Sequence, residues 1–336
     1  MKGTRLKRLL IVILVAAAAW SGYWFVGSAG VRAGFEGWFA DRRAEGWAAD
    51  YSDLAVRGFP NRFDTTIDDI VLADPETGWA WEAPFFQLLA LSYKPTSVIA
   101  VWPHEQSIST PFDKIAVTSQ DLRASLTLDA APRLPLDHAT LVGSGLDFAG
   151  AERASVGTLR LATQRIEGTE AEYRYGVLAE TVSLPAALVD RLSTGIALPG
   201  AVKKLELDMT VAYDRPWDMD ALEVARPQPV QLDLDLAEAE WGELKLAATG
   251  EVEVDAAGLP IGTLSIKAER WRDMLRVAVS AGALPDGVAR SAERALGFIA
   301  NLSGNPNSLN VTLDLRDGGI YLGPVLLGPA PVMRLR

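Results

Sequence analysis

Apolar and polar residues alternate over most of the chain after residue 58, which predicts a body built from β-strands. In the clearest segments every second residue is Leu, Val, Met or Ile, and the residues between them are mostly charged or Thr. This alternation is typical of antiparallel strands that have one buried face and one solvated face. Strands are predicted at 64–72, 79–93, 96–102, 122–128, 204–213, 230–236, 243–254, 264–266 and 309–315.

Four segments have the helical period instead. Residues 35–54 place their large apolar side chains near one face, which predicts an amphipathic helix, although Gly37 and Gly46 oppose helix formation. Packing of this face on the following sheet is favoured over a position on a membrane surface. The other predicted helices are 186–192, which follows Pro185, and 271–281 and 286–302. The face of the first helix consists of Phe35, Trp38, Phe39, Trp47, Tyr51 and Leu54.

The N-terminus has the pattern of a membrane span. No charged residue occurs from Leu9 to Val26, and as a helix this segment is ~27 Å long, close to the thickness of a bilayer's hydrocarbon core. Trp20, Tyr23 and Trp24 lie at its far end, where aromatic side chains favour the lipid–water interface. The predicted anchor residues are Leu9, Ile11, Ile13, Val15, Trp20, Trp24 and Val26.

A cleavable signal peptide is the alternative interpretation of this segment. It would consist of a basic start, an apolar core from Leu9 to Val15 and a cleavage site at the small residues 17–19. The apolar stretch continues to Val26, which is longer than a signal peptide requires, so the uncleaved anchor is favoured. The basic residues before the segment predict a cytoplasmic N-terminus and an extracytoplasmic body in both cases.

Composition excludes several classes of protein. The absence of cysteine among the 336 residues excludes a disulfide scaffold and a thiol enzyme. The net charge of −11 combines +4 in the first eight residues with −15 in the rest, which argues against nucleic acid as a partner.

Residues for catalysis are few. The two histidines, His104 and His138, are too few for a zinc site without cysteine, and neither phosphate-binding glycine motif occurs. The closest acidic pair on a clean strand, Asp233 and Asp235, fits a solvated strand face better than paired-acid catalysis. We therefore expect a protein that is not an enzyme and has no cofactor, metal or catalytic residue.

The apolar strand rows are the most informative feature for function. They create a broad apolar surface that must be covered by helices or a second sheet, or must bind an apolar ligand. Physical reasoning alone favours ordinary core packing, but a groove for an acyl chain is the alternative with functional content. The residues of this candidate apolar groove are Leu205, Leu207, Met209, Val211, Leu232, Leu234, Leu236, Leu244 and Leu246.

Several short segments carry a family resemblance, namely residues 58–63, 79–84, 92–96, 98–104, 259–267 with Trp271, and 319–324. They resemble the domain-of-unknown-function 2125 family, a bacterial envelope family found largely in alphaproteobacteria. No activity or catalytic residue follows from this resemblance. An anchor followed by many hairpins is also similar to AsmA-like envelope proteins, a likeness of architecture that implies a link to lipid movement between membranes.

These observations predict a mainly β protein, a β-rich α+β fold, with an N-terminal transmembrane helix followed by a large antiparallel sheet or two-sheet body and a few helices. The expected divisions are a cytoplasmic stub at 1–8, the anchor at 9–27, a helix or linker at 28–57, and β-rich halves at 58–213 and 214–336. We expect a single-pass protein of the bacterial inner membrane with its bulk in the periplasm. Its expected function is to bind or transfer a lipid or acyl ligand, and the alternative is a scaffold or assembly factor that binds envelope proteins.

Overall fold

The computed structural model describes residues 2–284, 286–302 and 305–335. In this part of the chain eighteen strands, all paired antiparallel, accompany five helices, which confirms the β-rich fold with an N-terminal apolar helix. The chain forms two compact units, unit 1 (Met1–Thr127) and unit 2 (Leu128–Arg336). The predicted division near residue 213 lies instead at 127/128, because the strands on either side of the loop 214–228 pair along their length in one unit.

A single helix, α1 (Lys2–Ala44), replaces the separate anchor and amphipathic helix predicted from the sequence. It continues through the glycine-containing segment 27–34, which holds no proline to interrupt it. It ends before Gly46, whose φ of 91° is the left-handed conformation that glycine favours. The amide of Gly46 donates to the carbonyl of Arg43 and that of Trp47 to Arg42, the Schellman pattern of helix ends. Residues 48–54, predicted as helix, therefore begin the sheet.

Unit 1 combines α1 with antiparallel strands in a branched arrangement. Strand β3 pairs with β1, β2 and β4, while β4 pairs with β6 at its start and with β5 at its end. Strand β5 also pairs with β8, and β6 with β7. The strands are β1 (Ala48–Asp50), β2 (Asp53–Arg57), β3 (Arg62–Ala73), β4 (Ala80–Leu91), β5 (Lys94–Val101), β6 (Glu105–Ser109), β7 (Lys114–Thr118) and β8 (Asp121–Leu128).

The core of unit 1 lies between the last third of α1 and the start of the sheet. Phe39 is almost completely buried and packs against Leu54, Ile67 and Ile70. Asp69 has a φ of 49° and is skipped in the pairing of β3 with β4. This irregularity lets Ile67 and Ile70, three positions apart, both enter the core, where regular alternation would separate them.

Unit 2 is a meander in which each strand from β9 to β18 pairs with its neighbours in sequence. Its strands are β9 (Leu136–Ala149), β10 (Arg153–Arg165), β11 (Glu172–Ser183), β12 (Ala201–Tyr213), β13 (Pro229–Trp241), β14 (Leu244–Val254), β15 (Pro260–Glu269), β16 (Ser308–Arg316), β17 (Gly319–Leu322) and β18 (Val325–Pro329). Its helices are α2 (Ala186–Leu192), α3 (Met219–Glu223), α4 (Trp271–Ser280) and α5 (Asp286–Leu302), so the helices predicted at 186–192, 271–281 and 286–302 are confirmed.

Helices α4 and α5 cover one end of the unit 2 sheet. Trp271, Ala268 and Leu309 are buried in this cluster, and the indole N–H of Trp271 donates to the carbonyl of Pro306 over 3.1 Å. Asp273, in the first turn of α4, is buried and accepts hydrogen bonds from Arg270 and Arg276. The buried carboxylate is therefore paired on both sides, as buried charges require.

Candidate functional site

The first part of α1 has the properties of a membrane span. The helix reaches a mean hydropathy of 2.2 and is long and apolar enough to cross a membrane. Six of the seven predicted anchor residues are exposed, and Trp24 is the buried one. The exposed residues are Leu9, Ile11, Ile13, Val15, Trp20 and Val26. Exposed aliphatic side chains along a helix of this length are compatible with surrounding lipid and costly in water.

The aromatic residues at the end of this segment attach α1 to the sheet of unit 1. Trp20 donates its indole N–H to the carbonyl of Pro60 over 3.0 Å, and Trp24 donates to Arg62 over 2.7 Å. The hydroxyl of Tyr23 donates to the carbonyl of Ser92 over 2.6 Å. Trp20 is partly exposed and Trp24 is buried. The aromatic end of the apolar segment is therefore joined to folded protein through three backbone carbonyls.

An apolar pocket, here called the helix pocket, lies between α1 and strands β3 and β4. Its volume is about 590 Å³, within the usual range for small-molecule sites. Among the described residues of unit 1, those that line this pocket include no charged side chain. They are Gly30, Val31, Gly34, Phe35, Trp38, Phe39, Ile67, Ile70, Leu72, Trp81 and Phe86.

Two glycines on α1 create the space. Gly30 and Gly34 are four residues apart, so they share one face of the helix, and a Cβ atom added at either position would meet nothing within 4 Å. Phe35 and Trp38 flank this bare strip of backbone. The aromatic face that the sequence predicted to pack on the sheet does so through Phe39, with Phe35 partly buried against the same cluster. Both residues and Trp38 also bound the open volume.

Aromatic side chains that are held by specific contacts form the opposite wall. Trp81 donates its indole N–H to Oε1 of Gln106 over 2.7 Å. Its ring meets Phe86 edge to face at 5.6 Å between centroids, and Phe86 contacts Trp102 at 5.2 Å. Such ring contacts and the hydrogen bond fix the orientation of the wall. The pocket therefore offers a pre-formed apolar surface.

Two arginines at the C-terminal end of α1 lie over aromatic residues that line this pocket. Cζ of Arg42 is 5.8 Å from the ring centre of Trp38, and its guanidinium pairs with Glu45 at 2.7 Å. Arg43 lies over the rings of Phe39 and Tyr51 and is 3.4 Å from the carboxylate of Asp50. The polar end of the site is therefore a set of paired charges stacked on aromatic rings.

The sequence-predicted groove residues come together on the sheet of unit 2. The strand register aligns Leu205 with Ala239 and Leu246, and Leu207 with Ala237 and Ala248. Residues directly opposite on paired strands share a face, so the predicted rows are continuous across β12, β13 and β14. The same pairing aligns Met209 with Leu234 and Val211 with Leu232, and places Leu244 opposite Trp241.

Leu236 is the exception among these residues. The register shifts between residues 208 and 209 of β12 and pairs Leu236 with Asp208, while Asp235 has no partner in either ladder. Such a bulge reverses the alternation. Leu236 therefore lies on the face of Asp208, opposite to Leu232 and Leu234, and does not line the row.

The rows are buried towards both ends of β14 and open between them. Leu244 and Val252 are buried, as is Val211, which aligns with Val252 through Leu232, whereas Leu205 and Leu246 are 37% and 38% exposed. Leu161, which aligns with Leu207 through Val177, is also exposed. The predicted groove thus contains a filled part and an open apolar strip, here called the open strip, formed by Leu161, Leu205 and Leu246.

The residues with potential chemistry lie in ordinary structural contacts. Nδ1 of His104 donates to the carbonyl of Ser119 over 2.9 Å, and Nδ1 of His138 is 3.0 Å from the carboxylate of Asp137. The described residues contain no group of three or more His, Asp or Glu side chains placed to hold a metal. Burial raises the pKa of the Tyr175 hydroxyl, which shares a 2.8 Å hydrogen bond with Tyr213.

Comparison with known proteins identifies the family. A family model described as "Uncharacterized protein conserved in bacteria" (DUF2125) matches residues 24–331. The chain belongs to the DUF2125 family. The match begins at Trp24, so it includes the part of α1 that carries the helix pocket, all the strands of unit 1 and nearly all of unit 2 of this DUF2125 protein. No curated protein and no solved structure matches the chain.

The helix pocket escaped the sequence analysis of this DUF2125 member. Its wall residues Phe35, Trp38 and Phe39 were predicted to pack on the sheet. Gly30 and Gly34 were assigned no role, because they precede the helix predicted at 35–54. The signal that could reveal it is a pair of glycines four residues apart next to aromatic residues. On a helix that spacing exposes backbone on one face.

Proposed function

We propose that this protein is a single-pass protein of the bacterial inner membrane that binds a lipid or free acyl chain in the helix pocket. The observation that carries the proposal is the position of a 590 Å³ apolar pocket on the helix that also supplies the span. A ligand for such a pocket must be apolar and elongated, and the bilayer next to the anchor is a source of such ligands.

The geometry of α1 supports this source. Gly30 follows Val26, the last residue of the charge-free segment, by four residues, which is about 6 Å along a helix. The pocket extends along α1 to Phe39, about 14 Å further. The charged residues of this stretch, Arg32 and Glu36, pair with each other at 2.8 Å and do not line the pocket. A lipid leaving the leaflet beside α1 can therefore slide its acyl chain along the apolar face of the helix.

The energetic argument concerns burial of methylene groups. Each CH₂ moved from water into an apolar site contributes ~0.8 kcal/mol, so eight methylenes contribute ~6 kcal/mol before ordering costs. The bare helix strip at Gly30 and Gly34 leaves the room, and the aromatic wall at Trp81 and Phe86 supplies the contact surface. Because the wall is already oriented, binding costs little rearrangement.

The basic residues before the span indicate the direction in which the chain crosses the membrane. Lys2, Arg5, Lys7 and Arg8 precede it, and basic residues next to a span remain in the cytoplasm. The pocket, the strands of unit 1 and the whole of unit 2 then lie in the periplasm. The open strip in unit 2 is a second apolar surface, which supports transfer of the ligand as well as its retention.

Photo-crosslinking in a defined bilayer tests the proposal. The full-length protein is reconstituted in phospholipid nanodiscs with a diazirine-bearing fatty acid, and labelled peptides are mapped by mass spectrometry. We expect labels on residues 30–39 and 67–86 and, from the open strip, on β12 and β14, with a severalfold loss of the first set in Gly34→Leu. Gly37→Leu is the matched control, because Gly37 lies on the same helix in open space and does not line the pocket.

Two results would contradict the proposal. One is labelling confined to the exposed residues of the span, with none on the pocket wall. The other is an equal effect of Gly34→Leu and Gly37→Leu, since the two substitutions share their effect on helix propensity. Crosslinking in cells to defined proteins, with no label from the fatty acid, would favour the envelope scaffold instead.

A further inference from the structure

The loop between β2 and β3 and the turn between β4 and β5 lie beside the outer end of the span. The loop consists of residues 58–61, and the turn is formed by Ser92 and Tyr93. They are held there by the hydrogen bonds from Trp20 to Pro60, from Tyr23 to Ser92 and from Trp24 to Arg62. We call this loop, this turn and their flanking residues the membrane wedge.

The helix approaches the strand so closely at this point that no gap remains. A Cβ atom added at Gly27 would lie 2.6 Å from Cζ of Phe63, the second residue of β3. The ring of Phe63 also meets those of Tyr23 and Trp24. Within unit 1, the wedge therefore lies beside residues 20–27, at the same height along the axis of α1.

The depth of this region follows from the length of the span. The hydrocarbon core of a bilayer is about 30 Å thick, and the charge-free segment from Leu9 to Val26 spans ~27 Å, so all of it is needed to cross. Trp20 precedes Val26 by six residues, or about 9 Å. The carbonyl of Pro60, bonded to Trp20, therefore lies deeper than the end of the segment. We propose that the membrane wedge inserts into the lipid–water interface of the bilayer that α1 crosses.

Five backbone carbonyls of the wedge, those of Gly58, Pro60, Asn61, Arg62 and Ser92, already accept hydrogen bonds from protein donors. Besides the three aromatic donors, the amide of Arg62 donates to the carbonyl of Gly58 over 2.8 Å and that of Ser92 to Asn61 over 2.9 Å. The hydroxyl of Ser92, a completely buried residue, contacts the carbonyl of Pro60 at 3.3 Å. A loop that meets lipid needs such internal partners, because the hydrocarbon region offers no water to its polar groups.

The exposed side chains of the wedge, together with Phe25 of the adjoining helix, suit an interface. Phe25, Phe59, Leu91 and Tyr93 are all exposed, and Phe25 stacks on Phe59 with 5.7 Å between centroids. Large apolar side chains exposed together normally mark a binding surface, and aromatic rings favour the headgroup level of a bilayer.

The charges of the wedge also favour lipid over a protein partner. Residues 58–62 and 91–95 contain no acidic residue, and the basic residues Arg57, Arg62 and Lys94 lie in or beside them. Arg62 pairs with Asp64 at 2.9 Å, so Arg57 and Lys94 are the cations that remain for anionic headgroups. Basic residues next to a span attract such lipids.

Spin labels at single cysteines test this proposal, which is independent of the helix pocket. The chain contains no cysteine, so each variant carries one label without other changes. Tyr93→Cys and Phe59→Cys probe the wedge, Val15→Cys probes the span, and Phe112→Cys is the aqueous control. Phe112 is 95% exposed and lies in the turn after β6. The end of β6 pairs with Ala80 at the start of β4, and the wedge lies at the other end of β4, about 37 Å away along the strand.

The measurement is the collision rate of each label with oxygen and with a water-soluble nickel chelate, on the full-length protein in nanodiscs of neutral and anionic phospholipids. We expect labels at residues 59 and 93 to collide more with oxygen, as at residue 15, and the ratio to reverse at residue 112. Labels at residues 59 and 93 as accessible to the chelate as residue 112 would overturn the proposal. A label at residue 15 accessible to the chelate would overturn its premise and the proposal with it.

Discussion

Trp24 donates its indole N–H to the backbone carbonyl of Arg62 over 2.7 Å, joining the end of the apolar segment to the first residue of β3. Trp24 is buried, and its ring packs against Phe59 and Phe63. The bond is therefore protected from competing water, and in such surroundings the loss of a donor leaves a carbonyl unsatisfied. This contact orders the loop 58–61 as well as the helix.

Trp24→Phe should loosen this loop while keeping an aromatic ring in the same place. Loss of the hydrogen bond costs about 1 kcal/mol, which corresponds to about a fivefold rise in local opening. Tryptic cleavage after Arg57 and Arg62, followed over time on the detergent-purified protein, reports this opening. Trp79→Phe, at an exposed position, is the control, and equal cleavage rates in the two variants would contradict the expectation.

The sequence predicted the strands best where one apolar row is unbroken. Residues 204–213 and 309–315 became β12 and β16 because Leu, Val or Met occupies nearly every inward position. Strands β9, β10 and β11 were not predicted, because their rows contain small residues such as Ala139, Gly143 and Gly176. Such residues form strands because the adjacent strands on both sides pair with them. This pairing is not visible in the pattern of one segment.

The candidate site was partly predictable. The alternation placed Leu205, Leu207 and Leu246 on one face, and the register confirms this alignment. Leu236 was placed wrongly, because a bulge of one residue reverses the face and leaves no mark in a Leu-rich pattern. The helix pocket depends on the continuation of α1 through Gly30 and Gly34, where propensity alone favours a break.

Asp273→Asn should destabilise unit 2 in a manner that depends on pH. Burial raises the pKa of this carboxyl, but hydrogen bonds from Arg270 and Arg276 outweigh it and hold the pKa below the ordinary value. Substitution removes charge-assisted bonds and should cost about 2 kcal/mol at neutral pH. The free energy of unfolding in urea, measured in detergent, gives this difference. Asp235→Asn, at an exposed position, should change it by less than about 0.5 kcal/mol.

The pH dependence follows from the lowered pKa of Asp273. An unfolded aspartate has a pKa of about 3.9, so the stabilising effect of the carboxylate is complete above that pH. It is lost as the pH falls through the lower folded value. The difference between the parent protein and Asp273→Asn should therefore be constant near neutral pH and shrink below about pH 4. A difference that persists unchanged in acid would show that the carboxylate charge is not responsible.

Gly250→Ala should destabilise unit 2 because the adjacent strand approaches too closely. A Cβ atom there would lie 2.2 Å from the carbonyl oxygen of Thr263, which belongs to the sheet backbone and cannot move cheaply. We expect a cost of about 2 kcal/mol and a fall in Tm of about 4–8 °C. Gly176→Ala is the matched control, since a Cβ there meets nothing within 4 Å, and its Tm should stay the same or rise slightly. Similar losses in both variants would argue against the close approach.

Serine substitutions along the apolar rows of unit 2 should separate the filled part from the open strip. Val211 is 2% exposed, so Val211→Ser buries a hydroxyl and leaves a cavity, which should cost about 3 kcal/mol. Leu246→Ser, at the open strip, should cost only about 1 kcal/mol, because the leucine already contacts solvent. Urea unfolding measures both values.

In the fatty-acid crosslinking experiment, Leu205→Ser with Leu246→Ser should reduce labels on β12 and β14 while leaving those on residues 30–39 unchanged. A loss of stability at Leu246 equal to that at Val211 would mean that this part of the face is covered in solution, and the open strip would then have no place in ligand transfer.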